Sequence, residues 1–525
     1  MTSKRPPVIP ATNAPDNGAA DHGEDLAGAL EGSAGPNVVD GTEKAMQGLF
    51  GRDSIYLLVW GLQVGVAALS IPVTTRLLGA GFSVVTTSLA VMQVLVAVGV
   101  FSLPPAVQRN YSEADGGAAA RRIVTLTVIT ATITLVVAMA TGPYWSGAVG
   151  LGKFSPVLHY AVIWAALSAV TFSTLALLRS RDMLFAYGLV SLMQSVVAVG
   201  VGVVLIVFVR RTATEFVLGE MLTQGVAMLL GLYLTRPLLI RRRHLKLVRD
   251  TLKYSGALVP AAIAGFLLTA SDRLIINHDL PQAMHLQVAR YGAVYNIASV
   301  PILLLGLLDT VWLPRFFALA DDTMLSKLLA DSRDALYGLL IPAVLALSFS
   351  APLVLSLWLR PEFHPAGLVF VVVTISVGGF PMAGFFAANR VLLISGKTGP
   401  VAICVVSSAL VNIALNIALV PVWGVEGSAL STLIAYMLLH ALVVRFARRI
   451  RHLRRPPLRR MLSCAAAVVV AAAATAVPSH GVFAVARVLA TLASLAVFGV
   501  VLQRLISPGK ETLLFRAVGW ANSRR

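Results

Sequence analysis

Cysteine and charge are scarce in this chain, and several catalytic signatures are missing. Only 2 cysteines occur in 525 residues. Cys404 and Cys464 lie in separate apolar stretches without metal-ligand spacing. That excludes a disulfide framework or a cysteine-based zinc site and leaves buried structural thiols. No Walker A sequence is present, so ATP hydrolysis by a P-loop is excluded. There is no His-Glu-x-x-His pair, and the 9 histidines are scattered. His278 and His285 flank one loop with no third ligand near in sequence. No apolar h-region follows the basic start, so no secretory signal peptide is expected. Neither a cofactor nor a metal is expected. Charged residues make up 13% of the chain and hydrophobic residues 57%, far from the balance of a soluble protein.

What is present is a succession of apolar runs from Ser54 to about Leu505. At 1.5 Å per residue, about 20 residues cross a hydrocarbon core of about 30 Å as a helix. The pattern predicts an all-α polytopic membrane protein with about 14 transmembrane helices. The expected spans are 54–78, 82–106, 122–142, 157–178, 184–209, 214–236, 254–276, 288–313, 335–357, 365–389, 398–420, 424–447, 461–478 and 482–505. The net charge of +18 would point to nucleic acid in a soluble protein. Here about 34 of the 42 Lys and Arg fall in alternate gaps, on one side, which the positive-inside rule assigns to the cytoplasm. The reading is a multi-pass protein of the inner (cytoplasmic) membrane with both termini cytoplasmic. Clusters such as Arg241-Arg242-Arg243 and Arg454-Arg455 then face anionic headgroups, not nucleic acid.

Residues 1–50, polar and rich in Gly, Pro and acids, are too poor in apolar residues to build a core and predict a disordered cytoplasmic tail. The loops on the side poor in Lys and Arg are too short for a globular module. An internal duplication follows. Thr75-Arg76-Leu77 ends the first span and Asp272-Arg273-Leu274 the seventh. Arg179 answers Arg390, and Glu215 answers Glu426, both offset by 211 residues. Six spans separate the copies, so the halves share one orientation. The expected architecture is two six-helix lobes in parallel pseudo-twofold repeats, with a site between them, plus two C-terminal helices. The domain divisions are 1–50, 51–253 (first lobe), 254–450 (second lobe) and 451–525.

Ionisable groups inside the hydrocarbon are costly and face a cavity or a partner. Arg76 and Arg273 lead. Both lie toward the external end of the first helix of a repeat, and two guanidiniums on one cavity would hold a diphosphate. The alternative is that each snorkels to headgroups. Asp272 adjoins Arg273, but helix neighbours point about 100° apart, so its partner lies elsewhere. Glu220 and Asp309 are carboxylates able to couple transport to an ion or proton; a helix-to-helix hydrogen bond and an interfacial charge are their bland readings. Asn296, Asn389 and Asn412 are candidates for binding a polar substrate, with Asn416 on the same helix face as Asn412. Such amides also join helices without binding anything. Arg487 lies outside the twelve duplicated spans, either lining a groove or meeting lipid. Gly99, Pro260, Pro301, Pro342 and Pro381 can bend spans.

Three stretches carry a resemblance. Thr75-Arg76-Leu77-Leu78-Gly79 with Gly81-Phe82 resembles the opening of polysaccharide and O-antigen flippases. Asp272-Arg273-Leu274-Ile275-Ile276, Tyr291-Gly292-Ala293-Val294-Tyr295 and Trp312-Leu313-Pro314-Arg315-Phe316 resemble their seventh and eighth helices. Gly396-Lys397-Thr398, Asn412, Asn416 and Val420-Pro421-Val422-Trp423-Gly424-Val425-Glu426-Gly427 resemble their eleventh-to-twelfth helix turn. These families belong to the multidrug/oligosaccharidyl-lipid/polysaccharide exporter superfamily. The resemblance covers about residues 50–450. It implies alternating access and translocation of a polyprenyl-diphosphate-linked oligosaccharide for cell-surface polysaccharide biosynthesis. The implied partners are that lipid-linked glycan, membrane lipids and glycan polymerase machinery. Alternatives are a multidrug and cation antiporter of the same fold, a lipid II flippase, and, against the short external loops, a membrane-embedded glycan polymerase or ligase.

Overall fold

The computed structural model describes residues 54–506, apart from 112–115, 148–151, 280–284, 319–321, 396 and 452. The expected tail over residues 1–50 lies outside the described residues, as do residues 507–525 and the side chains of His278, His285, Pro314 and Arg315. The described residues are helical, with no strand among them. Lipid offers no hydrogen-bond partner, so a crossing segment must satisfy its backbone internally, and the helix does so.

In chain order, α1 (Ser54–Leu78) and α2 (Phe82–Val100) are joined by a turn at Gly79–Gly81. A short α3 (Leu103–Tyr111) leads to α4 (Gly116–Trp145), α5 (Pro156–Ser180), α6 (Leu184–Phe208) and α7 (Ala213–Thr235). The second half holds α8 (Leu245–Asp279), α9 (His285–Ala298), α10 (Val300–Ala318), α11 (Asp322–Trp358), α12 (Pro365–Ile394) and α13 (Thr398–Ile450). Two further helices follow, α14 (Leu458–Ala476) and α15 (Val482–Ile506). Eleven helices among the described residues are long and apolar enough to cross a membrane, or up to twelve if one bent pair is a single span, against the fourteen expected. The difference lies where spans run together. Gly61–Val100 and Gly399–Ile450 are continuous over 40 and 52 residues, about 60 and 78 Å at the helical rise, or some two bilayer cores each. Both stretches turn at a glycine with positive φ, Gly79 (54°) and Gly424 (56°). Only a residue without Cβ enters that region cheaply.

Prolines set the other breaks. The second span, expected to reach residue 106, ends at Val100. Pro104 and Pro105 have no N–H for the carbonyls of residues 100 and 101, so α2 stops and α3 restarts with both prolines in its first turn. The pair α9–α10 bends by 48° at Pro301, which cannot donate to the carbonyl of Ile297. The neighbouring carbonyl of Ala298 accepts instead from Ser376 Oγ on α12 at 3.1 Å. In α6 a π turn occupies Met193–Val197. Just before it, Gln63 of α1 donates to the carbonyl of Ser191 at 3.0 Å.

The packing order of the first half recurs in the second. α1 lies against α6, α2 and α4 against α5, and α5 against α7; then α8 lies against α13, the α9–α10 pair and α11 against α12, and α12 against α13. Small residues allow the closest approaches, as is usual in bilayers. A Cβ on Gly219 would sit 2.6 Å from the Cα of Gly202. Side chains turned away from neighbours, such as Ile133, Val136, Leu229 and Leu489, are apolar and exposed, which suits lipid. The halves meet at both ends of the bundle. On the Lys/Arg-rich face, Ser255 Oγ of α8 donates to the carbonyl of Ser102 at 3.2 Å, and the Arg109 guanidinium lies 4.9 Å over the Tyr254 ring. On the opposite face, α9 presses Gly292 onto α2, where a Cβ would fall 2.3 Å from Thr86 Cγ2.

Arg487 neither lines a groove nor meets lipid. Its side chain is 2% exposed and donates only to main-chain carbonyls. Its partners are Pro478 (3.2 Å), Val477 (2.6 Å) and Ala474 at the end of α14, and Ser348 (3.5 Å) and Phe349 (3.2 Å) in α11. Two kinds of orphan are served at once. The last carbonyls of α14 have no intrahelical donor, and Pro352 leaves the carbonyl of Ser348 without one. Arg487→Leu leaves these acceptors unpaired in hydrocarbon, at about 1–3 kcal/mol for each one stranded. The expected result is a lower unfolding midpoint in detergent and easier proteolysis at the α14–α15 turn. An unchanged midpoint would remove the staple from the account.

Candidate functional site

A polar core lies where α8, α9 and α13 meet. Asp272 of α8 is fully buried, and three donors from two other helices converge on it. Tyr291 Oη of α9 donates to its Oδ2 at 2.6 Å, and Thr432 Oγ1 of α13 donates to the same oxygen at 2.8 Å. Asn416 Nδ2 donates to its Oδ1 at 3.2 Å. A second layer fixes the donors. Ser428 Oγ donates to Asn416 Oδ1 at 2.7 Å, Ser271 Oγ donates to Asn412 Oδ1 at 3.2 Å, and Asn412 Nδ2 reaches Thr432 Oγ1 at 3.5 Å. The helical period explains the assembly. Asn412 and Asn416, then Ser428 and Thr432, are i, i+4 pairs on the two limbs of α13, and the turn at Gly424 folds one limb back on the other. Gly427 completes that fold, since a Cβ there would lie 2.6 Å from the carbonyl oxygen of Leu419. The result is a buried, oxygen-rich pocket around one carboxylate. Asn412, read from sequence beside Asn296 as a substrate contact, belongs to this pocket.

Arg273, one residue on, points elsewhere. It is 2% exposed, its guanidinium lies 4.9 Å over the Tyr295 ring, and Nη2 reaches Asn296 Oδ1 at 3.4 Å. Its Nε and Nη1 have no hydrogen-bond partner in the protein. A buried guanidinium with two idle donors is expensive unless something anionic completes it. Next to it in the chain, Leu274 helps line an apolar groove of about 410 Å³ between α2, α4 and α8, with Val91, Leu95, Ile133 and Trp145.

The other sequence candidates separate from this pair. Arg76 does not join Arg273: it is exposed on α1 and donates to the carbonyl of Leu357 at the end of α11 at 2.9 Å. Proximity to the helix end left it at the surface, where it bridges the halves. Asp309 is held in an ion pair, accepting from Arg390 Nε at 2.7 Å. Asn389 lies beside Arg390 near the basic end of α12, buried, with Oδ1 unpartnered. Glu220 is buried at 6% exposure between α7 and its neighbours, one turn from Gln224, which donates to Thr171 of α5 at 2.8 Å. Among the described residues no cluster of three or more His, Cys, Asp or Glu could hold a metal ion. Tyr291, Ser428 and Thr432 were not singled out as site residues by the sequence. Their hydroxyls stand on apolar helices, and only the helical spacing of Ser428 and Thr432 could have marked them.

Comparisons with known proteins bear on this geometry. Residues 50–320 match a family described as polysaccharide biosynthesis protein. Among solved structures, the lipid II flippase MurJ in an inward closed conformation superposes with a TM-score of 0.64 at 11% identity, covering 90% of this chain and 99% of that one. An inward-facing multidrug resistance MATE family transporter of the MOP superfamily gives 0.53 at 14% identity, over 80% and 98%. A mutant of the Vibrio cholerae MATE transporter VcmN gives 0.53 at 14% identity, over 78% and 99%. No curated protein sequence matches. At these identities the likeness is one of fold, and the fold is that of flippases and transporters.

Proposed function

The chain belongs to the family of polysaccharide biosynthesis proteins, and from that premise we propose that it flips a polyprenyl-diphosphate-linked oligosaccharide across the cytoplasmic membrane. The observation that carries the reading is Arg273, a buried guanidinium with two unpaired donors, whose chain neighbour Leu274 lines an apolar groove. An amphiphile with an anionic head and a hydrocarbon tail fits that combination. The diphosphate accepts from Nε and Nη1 of Arg273, Asn296 holds the first sugar, and the polyprenyl chain lies in the groove that Leu274 lines. The sugars pass between residues 51–253 and residues 254–450, acting as the two lobes. The chain acts as a transporter rather than an enzyme, with both termini on the Lys/Arg-rich, cytoplasmic side.

Alternating access needs two gates. Ser102–Ser255 and Arg109–Tyr254 form the cytoplasmic one; Thr86–Gly292 and Arg76–Leu357 form the external one. Rocking about α2 and α8 opens one pair while the other holds. Coupling is assigned to Asp272. A monovalent cation or proton at its carboxylate competes with the hydroxyl and amide donors that tie α8 to α9 and α13. Because Arg273 follows on the same helix, a shift of α8 there carries the diphosphate site with it. Glu220 is a second carboxyl for coupling in the first lobe.

Mass analysis of lipid-linked intermediates after deletion of the gene tests the cargo. Accumulation of an undecaprenyl- or decaprenyl-diphosphate glycan is expected, and an unchanged lipid pool would overturn the reading. Coupling is tested in proteoliposomes with a fluorescent lipid-linked glycan. Wild-type flipping is expected to rise with an inward sodium or proton gradient, and Asp272→Asn to flip at a rate indifferent to either. Gradient-dependent flipping by Asp272→Asn would move coupling elsewhere, first to Glu220.

A further inference from the structure

The basic end of the second half contains a built crevice that the translocation path does not use. It lies between α11, α12, the last turns of α13 and residues 453–456, with a volume of about 90 Å³. Four arginines line it, Arg333, Arg448, Arg451 and Arg454, together with His440 and Tyr337. Two of the guanidiniums are held in place. Arg333 donates from Nε to Asp334 Oδ1 at 2.9 Å and from Nη1 to the carbonyl of Arg454, and Arg451 Nη1 reaches Ser326 Oγ at 3.4 Å. The His440 ring meets the backbone of Gly384, and its Nδ1 has no side-chain partner. The floor is α12 at Gly384, where a Cβ would stand 2.1 Å from His440 Cε1 and 2.8 Å from the Tyr337 hydroxyl. Any other residue there would fill the crevice or expel the imidazole. Among the described residues, Asp334 and Asp331 are the acids near these arginines, with Lys327 beside Asp331.

We propose that this crevice binds a phosphate group. Preset guanidiniums match tetrahedral oxyanions through paired donors, and the imidazole adds a further contact. The crevice has room for one phosphate group. The site opens at the level where the chain's Lys and Arg gather, which is where basic pockets between helices meet acidic headgroups. The ligand is therefore either the headgroup of an anionic phospholipid or a soluble phosphate. Bound there, it ties the end of α13 to α11 and closes the second half on its basic face. The proposal shares no residue with the Arg273 site and stands whether or not that site binds a diphosphate.

The full-length protein in zwitterionic nanodiscs is titrated with inorganic phosphate against chloride at equal ionic strength, following the unfolding midpoint. In parallel, native mass spectrometry counts phosphatidylglycerol and cardiolipin retained from mixed micelles. A rise with phosphate identifies a soluble ligand, and selective retention of anionic lipid identifies a headgroup. Arg448→Gln with Arg451→Gln is expected to weaken whichever binds by about tenfold or more, while Arg242→Gln, on an exposed loop, leaves it unchanged. Wild-type protein with no preference for phosphate over chloride, nor for anionic over zwitterionic lipid, overturns the proposal without reference to any variant. Equal loss in Arg242→Gln overturns it too, since general surface charge would then account for the binding.

Discussion

Replacing Arg273 by methionine is expected to stop glycan export while raising the protein's resistance to unfolding. The two effects share one cause. The guanidinium is buried with Nε and Nη1 unpaired, held by the face of Tyr295, a 3.4 Å contact to Asn296 and the charge of the adjoining Asp272. Burying a guanidinium whose donors are unmet costs several kcal/mol, and an apolar side chain of similar volume removes that cost. The same change deletes the donors assigned to the diphosphate. A charge-assisted hydrogen bond contributes about 1.5–3 kcal/mol, so losing a bidentate pair reduces flipping by about 100-fold or more. Arg273→Lys keeps the charge without the fork and should fall between wild type and methionine. Arg76→Ala is the contrast. That residue is exposed and makes one hydrogen bond to the carbonyl of Leu357, so its loss loosens the external gate and changes rate modestly. Flipping assays and unfolding midpoints on the three variants decide the matter. A falling midpoint in Arg273→Met would make Arg273 a structural residue, and export at the wild-type level would remove it from the path.

How far the sequence could reach is clear from particular residues. Hydropathy located the membrane-crossing helices, because a bilayer forces about 20 apolar residues into each crossing. It also raised Asp272, Arg273, Glu220 and Asp309 as charges inside apolar runs, with snorkelling left open for Arg273 and an interfacial place for Asp309. Partners were not legible. Asp272 draws Thr432 from 160 positions away and Asn416 from 144. A helical period fixes a face but not the helix it meets. Arg76 misled because a residue near a helix end can point to either the cleft or the surface, and spacing does not distinguish them. Arg487 was opaque for another reason. Its partners are carbonyls freed by Pro352 and by the end of α14, and backbone acceptors leave no mark in a side-chain pattern. The crevice around His440 escaped because the arginines at 448–454 read simply as the positive-inside signal. Only Gly384, one helix away, shows that they surround a space.

Asp309 and Arg390 test the difference between a coupling carboxylate and a structural one. Their Nε–Oδ1 distance is 2.7 Å, and the arginine is fully buried. The guanidinium also lies 5.2 Å over the Trp312 ring and 4.9 Å over that of Phe316, and Nη1 reaches Ser332 Oγ at 3.2 Å. One side chain thus joins α10, α11 and α12 just beyond the bend at Pro301. Removing either partner alone leaves the other charge buried and unbalanced, a loss of about 3–5 kcal/mol. Asp309→Leu and Arg390→Met are each expected to lower the unfolding midpoint by several degrees. The double variant should regain most of that, because two well-packed apolar groups replace the pair at little net cost. Asp309→Asn sharpens the test. The amide keeps the shape and an acceptor for Arg390 but cannot carry the charge. If the pair is structural, stability falls and whatever flipping survives keeps its dependence on the ion gradient. If Asp309 instead carries the coupled proton, stability changes little and the gradient loses its effect. The two hydrogen bonds made by Arg390 favour the first outcome, and leave Asp272, which accepts only from neutral hydrogen-bond donors, as the carboxylate proposed to exchange an ion.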